Sequence, residues 1–538
     1  MWKLKILSTR AAATLALISM AGCMVGPKYH NPVPPVPQNF KEGGTPDAGT
    51  PDIAYSDWWR VFDDEELGRL ETAADAANQD IKLAVARVDQ AEAGSKYARS
   101  FLFPTISLGA SASRTREAQN RPNNGNTNGF AATYNDFQLP AFLSYEVDAW
   151  GRVRNSIEAA NATQQATAAD LRFVRLAVEA NVAMDYYSLC ETDAERQVLD
   201  STLQEMQSAV DLTTNRFRGG LTSELEVKQA QTLLDQTKAQ AQALDVQRAQ
   251  LEHAVAVLEG EAASDFSLPR ATFDELPPTI PSGLPAELLA RRPDIAEVER
   301  YVAAANAEIG VAKTAALPHI SLTGLAGFES SNLASLFSWQ NGIASLGASA
   351  VMPVFTGGRV KAGVDQAWAV YRQSLAQYQK TVLTAYQEVE DQLAALRILA
   401  GEAQSTADAV ADAQQAETIA LNRYRNGLVS YLDVVYAQTA LLANQRTATQ
   451  IGGQRMVATV VLIKALGGGW LGVPASAGTN PSPGPPAYRS NAASQQPAGK
   501  AQQSRAKFTM IRRSLRCRRA ACPERPSRTD GSRAAGCQ

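Results

Sequence analysis

The sequence contains one turn motif written twice at a fixed separation. Residues 215–227 and 422–434 share the order Asn-Arg-aromatic-Arg, then Gly-Leu, then Ser. The offset is 207 residues, since 422 − 215 = 207, and it persists from Ala230-Gln231-Thr232 to Ala437-Gln438-Thr439. A match of this length without a gap predicts an internal duplication, so the chain is expected to contain two structural repeats.

Each turn lies within a long run that lacks proline, residues 151–268 and 354–473. Proline inside a helix removes a backbone hydrogen bond, so its absence permits long helices. Each run holds about 115 residues, enough for two antiparallel helices of about 55 residues and about 80 Å each. The sequence therefore predicts two long helical hairpins.

The chemistry of each turn is typical of a helix that ends and a second that begins. Gly220 and Gly427 can adopt the left-handed conformation that closes a helix. Ser223 with Glu226, and Ser430 with Asp433, have the spacing of a capping box. We predict hairpin turns at residues 219–223 and 426–430.

The N-terminus is typical of an exported protein. Basic residues precede an apolar run at residues 11–20, and the small pair Ala21-Gly22 follows, so we interpret residues 1–22 as a signal peptide. Cys23 directly after the small pair resembles a bacterial lipobox, which implies covalent diacylglycerol and palmitate at Cys23. Ordinary signal cleavage beside an incidental cysteine is the alternative. No other cofactor is expected.

Residues 23–57 are rich in proline and glycine and predict an extended tether. The first repeat is expected over residues 58–268, where Trp58-Trp59 opens a helical stretch through Ser100. The second repeat is expected over residues 269–470. Residues 471–538 are dominated by Pro, Ser, Gly and Gln and then by Arg, so we predict a disordered basic tail.

Two pairs of segments alternate apolar and polar residues with a period of two, which is typical of strands with one apolar face. The first pair spans roughly residues 104–114 and 137–148, and the second spans roughly residues 318–328 and 343–354. A tilted strand needs ~10 residues to cross a bilayer, so the chain is predicted to hold four membrane-length strands.

Four strands per chain constrain the assembly. A bilayer admits only helices and closed barrels, because open sheet edges leave backbone groups unsatisfied. Known membrane barrels begin at about eight strands, so four cannot close alone. The pattern therefore predicts a barrel that pools strands from several chains, with the long helices projecting on one side. The predicted fold class is mostly α with a membrane β part.

The sequence carries no pattern typical of an enzyme. Its three histidines, His30, His253 and His319, have no neighbour at metal-ligand spacing, so no metal site is expected. It contains neither a phosphate-binding loop nor a nucleophile–base motif. The net charge of −3 argues against a nucleic-acid partner.

Several short motifs along residues 1–470 point to a known family. They are Cys23 with Gly26-Pro27-Lys28-Tyr29, Trp58-Trp59, Asp148-Ala149-Trp150-Gly151-Arg152, Ala290-Arg291-Arg292-Pro293-Asp294-Ile295 and the twin turns. Together they resemble the outer-membrane efflux factor family, which is TolC-like, in its NodT-type lipoprotein branch serving tripartite resistance-nodulation-division pumps. The resemblance implies a homotrimer with a twelve-stranded β-barrel in the outer membrane and a periplasmic α-barrel of coiled helices.

The resemblance also implies passive conduction of drugs or other toxic compounds. An inner-membrane pump does the energised transport, and a periplasmic adaptor protein joins the pump to the tunnel. The tunnel tip would be closed at rest and would open on docking.

The second turn is where relatives place the periplasmic gate. The gate residues implied by the resemblance are Tyr424, Arg425, Leu432 and Asp433. The residues implied for adaptor docking are Gly219, Gly220, Leu221, Gly427 and Leu428. Tyr436 departs from the pattern, because some relatives carry a further Asp there.

Other roles for these residues remain open. Asp433 and Glu226 can serve only as helix caps, and Tyr424 can serve only in packing between helices. Arg216 and Arg423 are expected on solvated faces. Two alternative functions also remain: the exit duct of a protein-secretion system, and a non-conducting lipoprotein that spaces the envelope.

Overall fold

The computed structural model describes residues 24–34, 36–43, 57–118, 133–272, 277–280, 285, 289 and 291–468. The predicted signal peptide, Cys23 and the predicted tail over residues 471–538 lie outside the described residues. The helices are α1 (Glu65–Ala77), α2 (Gln79–Ser100), α3 (Arg152–Arg218), α4 (Glu224–Leu258), α5 (Pro293–Thr314), α6 (Arg359–Arg425) and α7 (Tyr431–Ala465). The strands are β1 (Thr105–Leu108), β2 (Ser111–Arg116), β3 (Thr133–Val147), β4 (His319–Ser330) and β5 (Gly342–Val351).

The two predicted hairpins are present, but their arms are unequal. α3 and α6 each have 67 residues, and α4 and α7 each have 35. At 1.5 Å per residue the longer arms extend about 100 Å. The prediction of equal arms was wrong because glycine, rather than the next proline, ends α4 and α7. Gly260 (φ +71°) and Gly467 (φ +91°) close these helices in the left-handed conformation.

The bounds of the two hairpins differ by the same 207 residues at every end. α3 and α6 begin at residues 152 and 359 and end at 218 and 425. α4 and α7 begin at 224 and 431 and end at 258 and 465. None of the helices in the described part of the chain combines the length and the hydropathy needed to cross a bilayer.

The helices pack side by side as four columns. In the lower half, next to the turns, the packing order is α4, α3, α7, α6. In the upper half, next to the strands, the order is α2, α3, α5, α6. α3 and α6 therefore run the full length of the wall, whereas α2 continues above α4 and α5 continues above α7.

Both two-piece columns are joined by a side chain that binds the last carbonyl of the lower helix. Asn78 donates its Nδ2 to the carbonyl of Leu258 at 2.8 Å. Arg292 donates Nη1 to the carbonyl of Ala465 at 3.0 Å, and the same guanidinium pairs with Asp294. These bonds satisfy helix-end carbonyls that would otherwise lack partners.

The helical stretch predicted from Trp58 to Ser100 is divided. Trp58–Phe62 is a 3-10 turn, and Asn78 separates α1 from α2. The Oδ1 of Asn78 accepts hydrogen bonds from the backbone N–H groups of Asp80 and Ile81, at 2.8 and 3.1 Å. Asn78 thus starts α2 as its N-cap, because its side chain satisfies the first free N–H groups of that helix.

The strands form one antiparallel sheet in the order β1/β2, β3, β4, β5. The register pairs Tyr145 with Leu322 and Leu322 with Ala348. Paired residues point to the same side, so the predicted apolar positions of the successive strands share one face. β5 and the β1/β2 strand are the two edges of the sheet.

The strand predicted over residues 104–114 is split into β1 and β2 without a change of register. Between them, the N–H of Gly109 donates to the carbonyl of Pro140 at 2.8 Å. Pro140 has no N–H with which to return the bond, so the ladder is interrupted here. The remaining predicted strands correspond to β3, β4 and β5.

The predicted tether is a strap that lies along the helices over its described residues. Phe40 is buried against α6 and the end of α7. The polar contacts of the strap include Val25 N–H to the Trp150 carbonyl (3.0 Å), Asn306 Nδ2 to the Pro27 carbonyl (2.9 Å), Lys41 N–H to Glu390 (2.6 Å) and Arg397 to Glu42 (2.6 Å). Residues 24–34 and 36–43 are therefore docked rather than free.

A core at mid-height of the wall packs α1 and the 3-10 turn against α3 and α7. It contains two carboxyl groups. Trp58 donates Nε1 to Glu179 at 2.8 Å, whereas Glu71 is fully buried and both of its oxygens lack a hydrogen-bond partner among the described residues. Burial, with Glu179 and Asp75 nearby, raises the pKa of Glu71 to about 10.

This carboxyl group predicts a pH-dependent stability. Because the pKa of Glu71 in the folded chain lies above its ordinary 4.5, folding stability is complete below about pH 4.5 and falls as pH rises towards 10. Glu71→Gln should flatten that decline. Glu71→Leu should also raise the free energy of unfolding at neutral pH by about 1–3 kcal/mol, the cost of a buried polar group without a partner.

Unfolding midpoints measured from mildly acidic to mildly alkaline pH test this expectation. Asp89→Asn, at an exposed position on α2, is the matched control and should leave the pH profile unchanged. A Glu71→Gln profile that runs parallel to the wild-type profile would show that Glu71 does not bind a proton in the folded chain.

Candidate functional site at the twin turns

The two turns have the same backbone geometry. Gly220 (φ +70°) and Gly427 (φ +74°) adopt the left-handed conformation, as the sequence predicted. The N–H of Leu221 donates to the carbonyl of Arg216, and the N–H of Leu428 donates to the carbonyl of Arg423, at 2.8 and 2.9 Å. This backward bond closes a helix end, so each turn is rigid without help from its side chains.

Tyr424 joins the two hairpins at this end of the wall. It is buried, with 2% of its surface exposed, and its hydroxyl donates to Glu226 Oε2 at 2.8 Å. Its ring meets the ring of Tyr431 edge-on, with centroids 5.3 Å apart. The guanidinium of Arg216 lies 4.8 Å from the centroid of the Tyr424 ring. The second hairpin thus inserts a phenol between the two arms of the first hairpin.

Arg216 makes a second link between the hairpins, so the expectation that it lies on a solvated face was wrong. Its Nη1 donates to the backbone carbonyl of Arg425 at 3.1 Å while its guanidinium covers Tyr424. Arg423, its counterpart in the second copy, is exposed as expected. The side chain of Arg425 is also exposed and forms no ion pair with the described residues.

The Glu226 carboxylate is an acceptor for the other hairpin rather than a cap. Ser223 starts α4, but no side-chain bond of a capping box forms there, so that prediction was wrong for the first turn. Burial first, and then the hydrogen bond to Glu226, raise the pKa of Tyr424 to about 12. The phenol therefore remains neutral at physiological pH and stays a donor.

The second turn does form its predicted cap. Asp433 accepts hydrogen bonds from the Ser430 backbone N–H at 3.1 Å and from Ser430 Oγ at 2.8 Å. These bonds supply the carboxylate half of a capping box at the start of α7. The acidic residues at equivalent positions of the two copies thus have different partners. Asp433 caps its own helix, and Glu226 accepts a hydrogen bond from the other hairpin.

The remaining predicted residues lie at the surface of the turns. Leu221 and Leu428 are about equally exposed, at 72% and 68%. Leu432 is 41% exposed and Tyr436, one helical turn further along α7, is 68% exposed. The structure thus brings Tyr424 and Asp433 into contacts within the chain and leaves the leucines available to other molecules.

Sequence reasoning missed Arg216 and the bond between Tyr424 and Glu226. One signal was present: the first copy has Phe217 where the second has Tyr424, so only the second copy carries a hydroxyl to place. Phe217 is 43% exposed, whereas Tyr424 is buried. Among the described residues, no group of His, Cys, Asp or Glu is arranged to hold a metal ion.

Taken together, these contacts form a latch, by which we mean Tyr424, Glu226 and Arg216. It consists of one hydrogen bond from a phenol to a carboxylate, one ring–cation contact and one bond to a backbone carbonyl. Each of these is individually modest in free energy.

Comparison with known proteins gives consistent matches over most of the chain. The family described as outer membrane efflux protein matches residues 72–261 and 284–468. The cation efflux system protein CusC of Escherichia coli O6:H1 is 30% identical over 455 residues, covering 84% of this chain and 97% of that protein. The probable efflux pump outer membrane protein TtgC of Pseudomonas putida is 31% identical over 468 residues, covering 86% and 96%.

Solved structures agree with these sequence matches. The Campylobacter jejuni CmeC outer membrane channel superposes with a TM-score of 0.78 at 28% identity, covering 83% of this chain and 95% of that chain. The family resemblance predicted from the motifs is therefore confirmed.

The different caps of the two turns give a prediction. Ser430→Ala or Asp433→Ala should destabilise the first turn of α7 by about 1 kcal/mol, because each removes a capping bond. Amide hydrogen exchange over residues 431–434 should then be faster. Ser223→Ala is the control, since Ser223 makes no such bond, and exchange over residues 224–227 should be unchanged. Equal acceleration at both turns would contradict the assignment.

Proposed function

Because the chain belongs to the outer membrane efflux protein family, we propose that it is the exit duct of a tripartite efflux pump. It resides in the outer membrane and extends into the periplasm. In this role it conducts small toxic compounds, such as drugs, passively from an inner-membrane pump and a periplasmic adaptor to the exterior. The relatives described above are named for efflux, one of them for cations.

The observation that carries the proposal is the shared lateral order of strands and helical columns. The strands β1/β2, β3, β4 and β5 lie in the same order as the columns that they enter or leave, which begin with α2 and end with α6. The sheet and the wall therefore have their open edges on the same two sides. When copies of the chain join edge to edge, the sheet and the helical wall are both extended at the same junction. The two repeats within one chain are joined in the same way.

We propose a trimer, which this geometry and the family resemblance support. An edge strand left unpaired in a bilayer leaves N–H and C=O groups without partners, so the ring must close. Three copies give twelve strands above twelve columns. The apolar face of the sheet is exposed in one chain: Leu108 is 75% exposed and Leu346 is 86% exposed. In the proposed barrel this face meets lipid.

The turns form the proposed gate and docking end. The latch holds the second hairpin against the first, and its release lets the hairpins separate. Leu432 and Arg425 are exposed beside it and are proposed to line the closed constriction, with Asp433 fixing the start of α7. The exposed turn residues Gly219, Gly220, Leu221, Gly427 and Leu428 are proposed to receive the adaptor. Cys23 is proposed to carry the lipid anchor.

The alternatives are less well supported. A non-conducting envelope spacer needs no sheet with an exposed apolar face and two open edges. A protein-secretion duct shares the architecture, but the relatives described above are named for efflux rather than secretion. No catalytic role is proposed.

Single-particle electron microscopy of the detergent-extracted protein tests the duct. We expect a hollow three-fold cylinder longer than about 100 Å, the length of the longest helices alone, with a detergent belt at one end. A solid rod, or a particle without a belt, would contradict the barrel and favour the spacer.

Conductance across planar bilayers tests the latch. Tyr424→Phe removes the hydroxyl that donates to Glu226 and keeps the ring, and Glu226→Gln removes the carboxylate charge. Tyr424→Phe should raise the resting conductance at least tenfold, because a lost hydrogen bond to a charged group shifts the closed-state equilibrium by about 1.5–3 kcal/mol. Glu226→Gln should raise it less, because the amide oxygen still accepts a hydrogen bond from the phenol.

Tyr431→Phe is the matched control for these variants. Its ring meets the Tyr424 ring edge-on, but its hydroxyl makes no hydrogen bond to the described residues. Its resting conductance should equal that of the wild type. If all three variants conduct alike, the latch does not hold the gate.

A further inference from the structure

A second contact joins the two hairpins above the latch. Arg446 on α7 donates Nε to Glu195 Oε1 on α3 at 2.5 Å, and Nη1 to Gln240 Oε1 on α4 at 3.2 Å. Arg446 lies 15 residues after the start of α7, since 446 − 431 = 15, which places it about 22 Å along that helix. One side chain of the second hairpin therefore holds both arms of the first.

This contact is more deeply buried than an ordinary surface ion pair. The Glu195 side chain is 6% exposed and the Arg446 side chain is 30% exposed. An exposed pair is screened by water and adds little, but removal of one partner from a buried pair leaves an uncompensated charge. Separation of α7 from α3 at this level would therefore cost far more than separation at the surface.

Gly453 lies seven residues further along α7 than Arg446, since 453 − 446 = 7, and marks a second close approach of α7 to α3. A Cβ at this position would collide with the Glu191 side chain, so with glycine here that side chain can lie directly against the α7 backbone. Glu191 and Glu195 are one helical turn apart on α3. The face of α3 that meets α7 thus has one acid that binds Arg446 and another that packs on Gly453.

Between the latch and Arg446 the arms α4 and α7 are separated by a groove. Its volume is about 440 Å³, and its walls include Leu225, Thr232 and Gln236 from α4 and Val435 and Thr439 from α7. The polar contacts between the hairpins therefore lie at two levels, the latch at the turns and the Arg446 contact above the groove. Between these levels the hairpins are held by apolar packing, in a core that includes Leu199, Val434 and Leu442.

We propose that Arg446 is a positioning residue of the gate, which ties α7 to α3 and α4 through Glu195 and Gln240 and so limits how far the hairpins separate when the latch is released. This inference rests on the proposed gating function. Its consequence is a gate with two stages. Release of the latch alone loosens the turns, whereas full opening also requires the Arg446 contact, and the apolar packing between it and the turns, to separate.

Conductance of double variants tests the tie. Added to Tyr424→Phe, Arg446→Gln should raise the open-state conductance about tenfold over Tyr424→Phe alone, a coupling of the usual size between linked sites. Glu195→Gln should act in the same direction. Arg446→Lys, which keeps the charge and loses the planar fork, should fall between Gln and wild type.

Arg248 provides the matched control. It pairs with Asp193 on α3 at 2.8 Å and is also buried, but it lies on α4 and so joins two arms of the same hairpin. Arg248→Gln should lower the unfolding temperature without adding conductance. An Arg248 variant that conducts as well as the Arg446 variant would overturn the proposal, because general loosening would then explain both.

Gly453→Ala tests the same contact without removing a charge, should Arg446→Gln fail to fold. Added to Tyr424→Phe, it should displace the Glu191 side chain and loosen α7 against α3, and so raise conductance by less than Arg446→Gln does, whereas Gly401→Ala, on α6 with open space around it, should not. If Tyr424→Phe raises the conductance and the added Arg446, Glu195 and Gly453 substitutions raise it no further, the Arg446 proposal is overturned and the latch remains supported. Conductance in variants of Arg446 or Glu195 that keep the latch intact would overturn the two-stage order, and silence in both sets would overturn the Arg446 proposal together with the gate.

Discussion

Two side-chain hydrogen bonds, from Asn78 to the end of α4 and from Arg292 to the end of α7, make full-length columns out of half-length helices. The arrangement of the whole wall depends on them. α3 and α6 are continuous, and a neighbour of 35 residues can cover only half of each. A second helix must begin where the first ends, and helix ends carry free N–H and C=O groups that are costly to bury. Asn78 and Arg292 satisfy those groups at the joints.

The two turns show how a duplicated sequence can acquire two roles. The φ angles of Gly220 (+70°) and Gly427 (+74°) are nearly the same, so the residues that the two turns share specify the reversal of chain direction. The differences lie in the side chains that reach across: a phenol in one copy meets a carboxylate in the other. The bond joins positions that are not equivalent in the two copies, and the hydroxyl that it needs is present at Tyr424 but not at Phe217.

Sequence reasoning succeeded where structure is set locally. The glycines of the turns, the alternating strands and the cap at Asp433 depend on residues within a few positions of one another, and the structure has them as predicted. It failed where the partner is remote. Glu226 has the spacing of a cap, yet its partner Tyr424 is 198 residues away, and nothing in the local pattern reveals this. The lengths of the helical arms were also predicted wrongly, because α4 ends at Gly260, well before the next proline at residue 269.

The strap at the N-terminus bears on the order in which the molecule is built. Its contacts join Lys41 to Glu390 and Glu42 to Arg397, separations of 349 and 355 residues. The strap emerges first during synthesis, but the α6 surface that receives it emerges near the end. Contacts this distant in sequence close late, because the intervening chain must be ordered first. Docking of residues 40–42 thus reports that α6 is in place, and a chain truncated before α6 would leave these residues undocked and open to proteases.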